Sequence, residues 1–365
     1  WFKHDPDDRL SLSSNVVRAV VRDKNGRLWV GTDNGLNQMV RFHNRDVFRH
    51  IDASAVNNQG LNNIFVVTMR ACSDGQLWVG TWGGGVNVFN PETNRFTYLT
   101  ENNADSTKRI NNNQIANIFE DSKRQVWLRS GNIIDLNTGR VKPFPFGQQL
   151  SNINFFYEDR TGRIWIGTSS NGLAIYAPES GQLNQLNQYR LLHEGVVVSM
   201  LQSAEGDFWI AVDKQIARLS EDLSKLEVFD ASDGLQDGDF SNEAALSGED
   251  GWMYFAGNKG ITRFRPNEIN LNDREVKVFF TGLRLFNQLL EPSADGPLDS
   301  AMISKKQLIL PYNHRELVFE FTGINFTNPQ KNTYAYRIRG LQTDWTFTDA
   351  DNRRASYFPH FLYYQ

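Results

Sequence analysis

From Asn15 to about Phe264, short apolar runs alternate with polar turns rich in Gly, Asn and Asp, a pattern that predicts strands joined by tight turns. Asn15 to Val21 suits an inner strand, Asp23-Lys24-Asn25-Gly26 is a turn whose glycine can take φ > 0, and Leu28 to Thr32 is a second strand. Asp33-Asn34-Gly35 turns the chain again, and Gly35 to Arg41 and Val47 to Ile51 supply a third and a fourth strand. Trp29 points opposite to Leu28 and Val30, so both faces of the second strand are apolar, as in a sheet packed between two neighbours. Gly31 leaves room for the next sheet to approach.

This unit repeats. Gly26-Arg27-Leu28-Trp29-Val30-Gly31-Thr32 returns as Gly75-Gln76-Leu77-Trp78-Val79-Gly80-Thr81 and as Gly162-Arg163-Ile164-Trp165-Ile166-Gly167-Thr168, with weaker copies around Trp127, Trp209 and Tyr254. The aromatic positions are separated by 49, 49, 38, 44 and 45 residues, close to the roughly 40 to 50 residues of a propeller blade. Six four-stranded blades are expected, and Gly, Asn and β-branched residues in each unit set a helical solenoid aside. The third unit has Arg124 at the turn glycine and Arg129 at the strand glycine, so its blade is expected to turn differently; Ala211 and Ala256 take the strand position in the fifth and sixth.

After Pro266 the repeat stops. Residues 276–286, 307–312, 316–322 and 333–339 are Val, Phe and Tyr-rich strands separated by turn clusters such as Glu291 to Pro297. The fold class is therefore all-β, with a propeller over residues 1–266 and a sandwich-like domain over 267–365.

Composition narrows the functional classes. A formal charge of −4 offers no basic field for a polyphosphate, which excludes nucleic acid as an expected partner. No apolar run reaches the roughly 18 to 20 residues needed to cross a bilayer, so any membrane contact is expected through a segment outside this chain. The chain opens at Trp1 without Met or a leader and reads as a fragment. Cys72, the single cysteine, forms no disulfide framework, and the six histidines show no zinc-type spacing. Asp230, Asp233, Asp237 and Asp239 do not fit a calcium loop and read as a solvated turn. Gly83-Gly84-Gly85 opens no helix, and neither a nucleophile elbow nor a phosphate loop is present. No catalytic residue, metal or cofactor is expected.

The repeats resemble the two-component-regulator propeller repeat. The stretch from Asp233-Gly234-Leu235 through Asn242-Glu243 to Gly257-Asn258-Lys259-Gly260-Ile261-Thr262-Arg263-Phe264-Arg265-Pro266 resembles that propeller's closing repeat. The following domain resembles its usual companion, the immunoglobulin-like Y_Y_Y domain, through Tyr334-Ala335-Tyr336-Arg337-Ile338-Arg339-Gly340-Leu341 and Asp344-Trp345. The resemblance implies the periplasmic sensor region of a bacterial membrane receptor, whose cytoplasmic part is a histidine kinase or a diguanylate cyclase. It also implies glycan ligands and allows a homodimer of the full-length receptor. Propellers of this family usually have seven blades, whereas six are visible here. Trp1 to His4 are expected along the outer edge of the sixth blade or as the mark of a missing seventh. The companion domain is expected to be incomplete, ending at Tyr357-Phe358-Pro359-His360 to Gln365.

Blade topology places candidate binding residues. In a four-stranded blade, the loop entering the innermost strand and the loop between the second and third strands emerge on one face around the channel mouth. Those loops carry Asp33, Trp82, Arg129, Asn154, Asp213, Lys214, Asn258 and Lys259. The repeated Asn residues are turn formers first. Trp82 and Arg129 depart from the repeat: an accessible indole suits the apolar face of a sugar ring, and a guanidinium fork suits a carboxylate or sulfate. The expected function is oligosaccharide sensing. A protein-interaction scaffold is the alternative, as is a propeller polysaccharide lyase, for which Lys214 and Arg129 are the only candidate residues.

Overall fold

The apolar runs become antiparallel strands because their β-branched and aromatic side chains pack well on a pleated surface, and the Gly and Asn between them accept tight turns. The computed structural model describes residues 1–51, 59–147, 149–269, 276–293, 298–305, 307–309, 316–325, 332–340, 342–348 and 351–357. The chain divides into two units, Trp1–Glu268 and Ile269–Gln365.

In the first unit, six sheets follow one another as the blades of a β-propeller. The first blade comprises β1 (Val17–Arg22), β2 (Leu28–Thr32), β3 (Gly35–Phe42) and β4 (Arg45–Ile51). The second comprises β5 (Val66–Ala71), β6 (Leu77–Thr81), β7 (Val86–Asn90) and β8 (Arg95–Leu99). The third has β9 (Ile118–Glu120), β10 (Gln125–Leu128), β11 (Asn132–Asp135) and β12 (Val141–Pro143), and the fourth β13 (Ile153–Glu158), β14 (Ile164–Thr168), β15 (Leu173–Ala177) and β16 (Gln182–Gln185). The fifth has β17 (Val197–Gln202), β18 (Phe208–Val212), β19 (Gln215–Leu219) and β20 (Leu226–Phe229). The sixth blade shows three strands, β21 (Phe240–Ser247), β22 (Met253–Gly257) and β23 (Gly260–Phe264).

The second strand is the packing centre of each blade. Trp29, Trp78, Trp127, Trp165 and Trp209 are all buried, and the whole of β6, β14 and β18 is inaccessible to solvent. A Cβ on Gly80 would stand 2.6 Å from Thr68 and 2.7 Å from Ile115 of the next blade, which is the close approach the repeat glycine serves. In three blades a carboxylate six residues before the tryptophan closes the hairpin: Asp23, Asp121 and Asp159 accept the indole Nε1–H of Trp29, Trp127 and Trp165 at 3.0, 2.8 and 2.8 Å. Each also accepts backbone N–H groups of its own turn.

That clamp corrects the expectation that the third blade turns differently. Arg124 takes φ 62°, the left-handed conformation of Gly26, Gly75 and Gly162, and donates its N–H to Asp121 as Gly26 does to Asp23. A non-glycine residue there costs about 1 kcal/mol, and the Asp121 bonds hold the turn in spite of it.

The innermost strands carry a recurrent bulge. One extra residue stands at Arg18, Val67, Asn154 and Val198, so that fifteen residues separate the paired ends of the first hairpin in the first, second, fourth and fifth blades. In the sixth blade the separation is seventeen, and residues 241–244 bulge out between the pairs Phe240 with Gly257 and Ala245 with Phe255.

The end blades differ from the inner ones in covering. Val17 and Val20 of the first blade and Leu246 and Ile261 of the sixth are exposed, whereas second strands elsewhere are sealed by neighbours. Trp1 to His4 does not run along the sixth blade. Phe2 meets Phe48 of β4 edge-on at 5.2 Å, and His4 bonds Leu12 and Asn15, which puts this segment on the first blade.

In the second unit, β24 (Val278–Leu285), β25 (Gln288–Leu289), β26 (Leu317–Gly323) and β29 (Arg354–Tyr357) form one antiparallel sheet in the order β25-β24-β26-β29, and β27 (Tyr334–Tyr336) pairs with β28 (Thr346–Thr348). Leu283, Leu285, Leu298 and Met302 form one core and Phe321, Tyr334 and Ala355 another. The expected strand over 307–312 is not formed at Gln307–Ile309; its remaining residues lie outside the described ones, as do Ala294 to Pro297, Leu341 and Phe358 to Gln365.

Candidate functional site

One backbone contact defines the rim. The residue that follows the second strand donates its N–H to the residue that enters the first strand: Asp33 to Val16, Trp82 to Phe65, Arg129 to Asn117, Ser169 to Asn152, Asp213 to Val196 and Asn258 to Asp239. Asp33, Trp82, Ser169, Asp213 and Asn258 stand four residues after their unit's aromatic and spring from equivalent points on one face of the ring, whereas Arg129 stands two residues after Trp127, at the strand-glycine position, where β10 ends two residues earlier than the other second strands. Asp33 is half-buried, while Asp213, Lys214, Asn258 and Lys259 are exposed. The Asp213 carboxylate also accepts the Val196 N–H at 3.2 Å, so it is partly engaged in its own turn.

Asn154 leaves the candidate set. It is the bulge residue of β13, buried, with Nδ2 donating to the Val197 carbonyl at 2.9 Å and Oδ1 accepting from Ser169. Both ends of its amide are consumed, one in joining the fourth blade to the fifth and the other within the fourth.

Trp82 and Arg129, the two departures from the repeat, open onto the same cavity. Its volume is about 690 Å³, and its walls include Gln114, Phe144 and Asn152, a size within the range of small-molecule sites. Trp82 is 51% exposed although its backbone is pinned, both to Phe65 and by a bridge to Gln114 of the third blade. An indole held by its main chain and left uncovered is a platform that costs little to order. Asp33, Asp213, Lys214, Asn258 and Lys259 stand elsewhere on the rim, outside this cavity.

Arg129 is half-buried, and among the described residues no hydrogen bond or ion pair engages its guanidinium. Burial lowers its pKa, and the opposing influence is the carboxylate of Glu243. Sequence reasoning did not single out Glu243. It lies in the enlarged bulge of β21, and the signal was the two residues added to the sixth unit between the inner strand and its partner. Its φ of 56° is left-handed, which is uncommon for glutamate. Glu243 is exposed to solvent, yet the surrounding protein raises its pKa to about 7 against the pull of Arg70 and Arg129.

Known proteins agree with this architecture. The two component regulator propeller family matches residues 11–34 and 147–170, which are the openings of the first and fourth blades. The chain is 28% identical over 362 residues to the histidine kinase P4 of Formosa agariphila, an alignment that covers 95% of this chain and 26% of that protein. The extracellular domain of a protein from B. thetaiotaomicron, described as a hybrid two component system, superposes with a TM-score of 0.57 at 19% identity and covers 98% of this chain and 48% of its own. YCF48 bound to a D1 peptide shares the propeller fold, with a TM-score of 0.51 at 11% identity over 73% of this chain and 83% of its own. The chain thus spans about a quarter of the curated relative and about half of the extracellular domain. Among the described residues, no helix is long and apolar enough to cross a membrane.

Proposed function

We propose that this chain is the ligand-sensing, periplasmic part of a transmembrane signalling receptor, that it binds an oligosaccharide in the cavity between Trp82 and Arg129, and that an acidic sugar fits best. The observation that carries the reading is the meeting in one cavity of an aromatic and a guanidinium, each a departure from the repeat. Stacking on the indole and a forked bond to the guanidinium are the two contacts a sugar acid offers. The histidine kinase relative and the extracellular neighbour support a sensor coupled to a kinase; a cyclase output is the alternative inferred from the repeat. Binding acts as a signal by favouring one of two arrangements of the receptor, because a ligand shifts an equilibrium only through differential affinity.

The test is a calorimetric titration of a glycan panel against the wild type, Trp82→Ala and Arg129→Ala. Loss of the indole is expected to weaken binding by about 0.5 to 1.5 kcal/mol, and Arg129→Ala to abolish the preference for acidic over neutral glycans. Equal affinities in both variants would move the site elsewhere. Lys214 lies outside the Arg129 cavity, which weighs against the lyase reading; new absorbance from an unsaturated sugar product would restore it.

A further inference from the structure

The outer edge of the sixth sheet is open. In the first five blades a fourth strand pairs with the third, whereas among the described residues no strand pairs with the free side of β23. Gly257 and Gly260 flank the two-residue turn Asn258-Lys259 and form a bonded pair. By the alternation of an antiparallel ladder, Thr262 and Phe264 then bond β22, and the N–H and C=O groups of Ile261 and Arg263 point away from the sheet. Such an edge is a template for a further strand. Ile261 is 68% exposed, and Arg263 is exposed as well.

The fifth blade shows what this edge takes. Its third strand matches β23 position for position: both follow a two-residue turn, and Trp209 faces Arg218 as Tyr254 faces Arg263. Against Leu219, Arg218, Ala217 and Ile216 stand Leu226, Glu227, Val228 and Phe229 of β20. Arg218 lies over the Trp209 ring and meets the Glu227 carboxylate at 3.6 Å. The first blade follows the same rule, with Arg41 of β3 paired to Asp46 of β4 at 3.4 Å. In the sixth blade Arg263 and Arg265 both lie over Trp252, at 4.7 and 4.8 Å. Arg265 is paired with Glu268 at 2.9 Å, whereas among the described residues no carboxylate is paired with Arg263.

We propose that β23 is a strand-addition site for a partner polypeptide, whose extended segment pairs antiparallel with it and runs apolar, acidic, apolar, aromatic, with the acidic side chain opposite Arg263. The site is separate from the rim cavity and needs no sugar there. Main-chain bonds to Ile261 and Arg263 supply affinity, and the carboxylate fixes register, because a slip of one residue would turn it to the face of Thr262 and Phe264, which packs toward the fifth blade. A second copy of the same edge does not fit. β23 holds no acidic residue, and Lys259 and Arg263 of two such edges repel one another. The N-terminal segment is engaged on the first blade.

The probe is a fluorescein-labelled peptide with the sequence of residues 224–230, Ser-Lys-Leu-Glu-Val-Phe-Asp, titrated against this chain by fluorescence anisotropy. Saturable binding is expected, and lysine in place of the peptide's glutamate should weaken it about tenfold, the loss of an attractive cross-strand pair and the gain of a repulsive one. Arg263→Glu should weaken the parent peptide in the same way and restore the lysine peptide. Its melting temperature should match the wild type, because the replaced side chain is exposed. N-methylation of the peptide at glutamate, whose N–H meets β23, should abolish binding, and N-methylation at valine, whose N–H points away, should leave it intact. No binding of the parent peptide, equal effects of the two methylations, or a lysine peptide that binds wild type as well as the parent does overturns the proposal. Self-association in sedimentation that excludes the peptide would give the edge to a second copy, and a full-length receptor that refuses the peptide this chain binds would give it to the receptor's own chain; either result removes the partner.

Discussion

The third and fourth blades are built on the same buried pair, an aspartate that accepts the indole Nε1–H of a tryptophan six residues on, yet their aspartates titrate in opposite directions. Burial opposes ionisation of Asp159, but hydrogen bonds from Thr161, Trp165 and Arg163 outweigh it, and the carboxyl lies below the ordinary aspartate value. Burial likewise opposes ionisation of Asp121, and there it wins: the carboxyl is raised although Trp127 and Gln125 bond it, and nearby Glu158 adds to the rise. The difference lies in two side chains. Thr161 donates its hydroxyl to Asp159 at 2.6 Å and Arg163 places Nε 2.7 Å away, whereas Lys123 gives Asp121 only its backbone N–H and Gln125 occupies the position of the arginine. A repeat can thus keep its hydrogen-bonding geometry and change the sign of its electrostatics through two neighbours.

The largest effect tests what the two blades share. Trp165→Ala and Trp127→Ala should each cost about 3 to 5 kcal/mol, because each empties a fully buried space. Trp165 packs on Phe208 of the next blade, and Trp127 on Phe144, Phe156 and Tyr176. Chemical denaturation is the measurement; a wild-type midpoint in Trp165→Ala would show that the blades do not depend on this contact.

A smaller effect tests what they do not share. Asp159→Asn keeps an acceptor for the indole but abandons Arg163, and should cost about 2 kcal/mol at pH 7, while Asp121→Asn should cost less than about 1 kcal/mol. The pH profiles should separate as well. Asp159, depressed in the fold, contributes stability that is present above its unfolded pKa and lost as pH falls through the folded value. Asp121, raised in the fold, acts in the opposite sense, and its contribution is lost as pH rises through the folded value. Asp159→Asn should therefore flatten the acid limb of the stability curve, and Asp121→Asn should steepen it. Parallel acid limbs in the two variants would remove Thr161 and Arg163 as the cause.

These positions also show what was legible in the chain. The period of the tryptophans revealed the blades, because only a residue buried between two sheets must recur at that spacing in every unit. Of the clamp aspartates only Asp23 was read, as a turn residue, since an aspartate at a hairpin looks the same whether or not an indole closes on it. Trp82 and Arg129 were visible as departures from a repeat, and their shared cavity was not, because its walls come from loops of three successive blades. Glu243 was hidden by the opposite problem: the sixth unit's resemblance to the others drew attention away from the two residues by which it is longer. Asn154 looked like a rim residue because of its place at a strand entrance, and only the bulge of β13 turns its amide inward.

The fifth blade extends the comparison to its smallest expected effect. Ser203 stands where Asp121 and Asp159 stand in their blades, and neither its Oγ nor the Trp209 Nε1 has a partner. Burial of an unpaired indole N–H costs about 1 to 3 kcal/mol, so an acceptor with longer reach should stabilise the blade. Ser203→Asn supplies a neutral one and should add about 1 kcal/mol. Ser203→Asp should add less, because the position four residues on is Asp207, a carboxylate already held by Arg218 at 2.6 Å, in place of the arginine that serves Asp159. Denaturant midpoints of the two variants beside wild type decide the matter. A gain in Ser203→Asp equal to or above that of Ser203→Asn would mean that Arg218 redistributes between two carboxylates, and that the clamp tolerates charge without an arginine of its own.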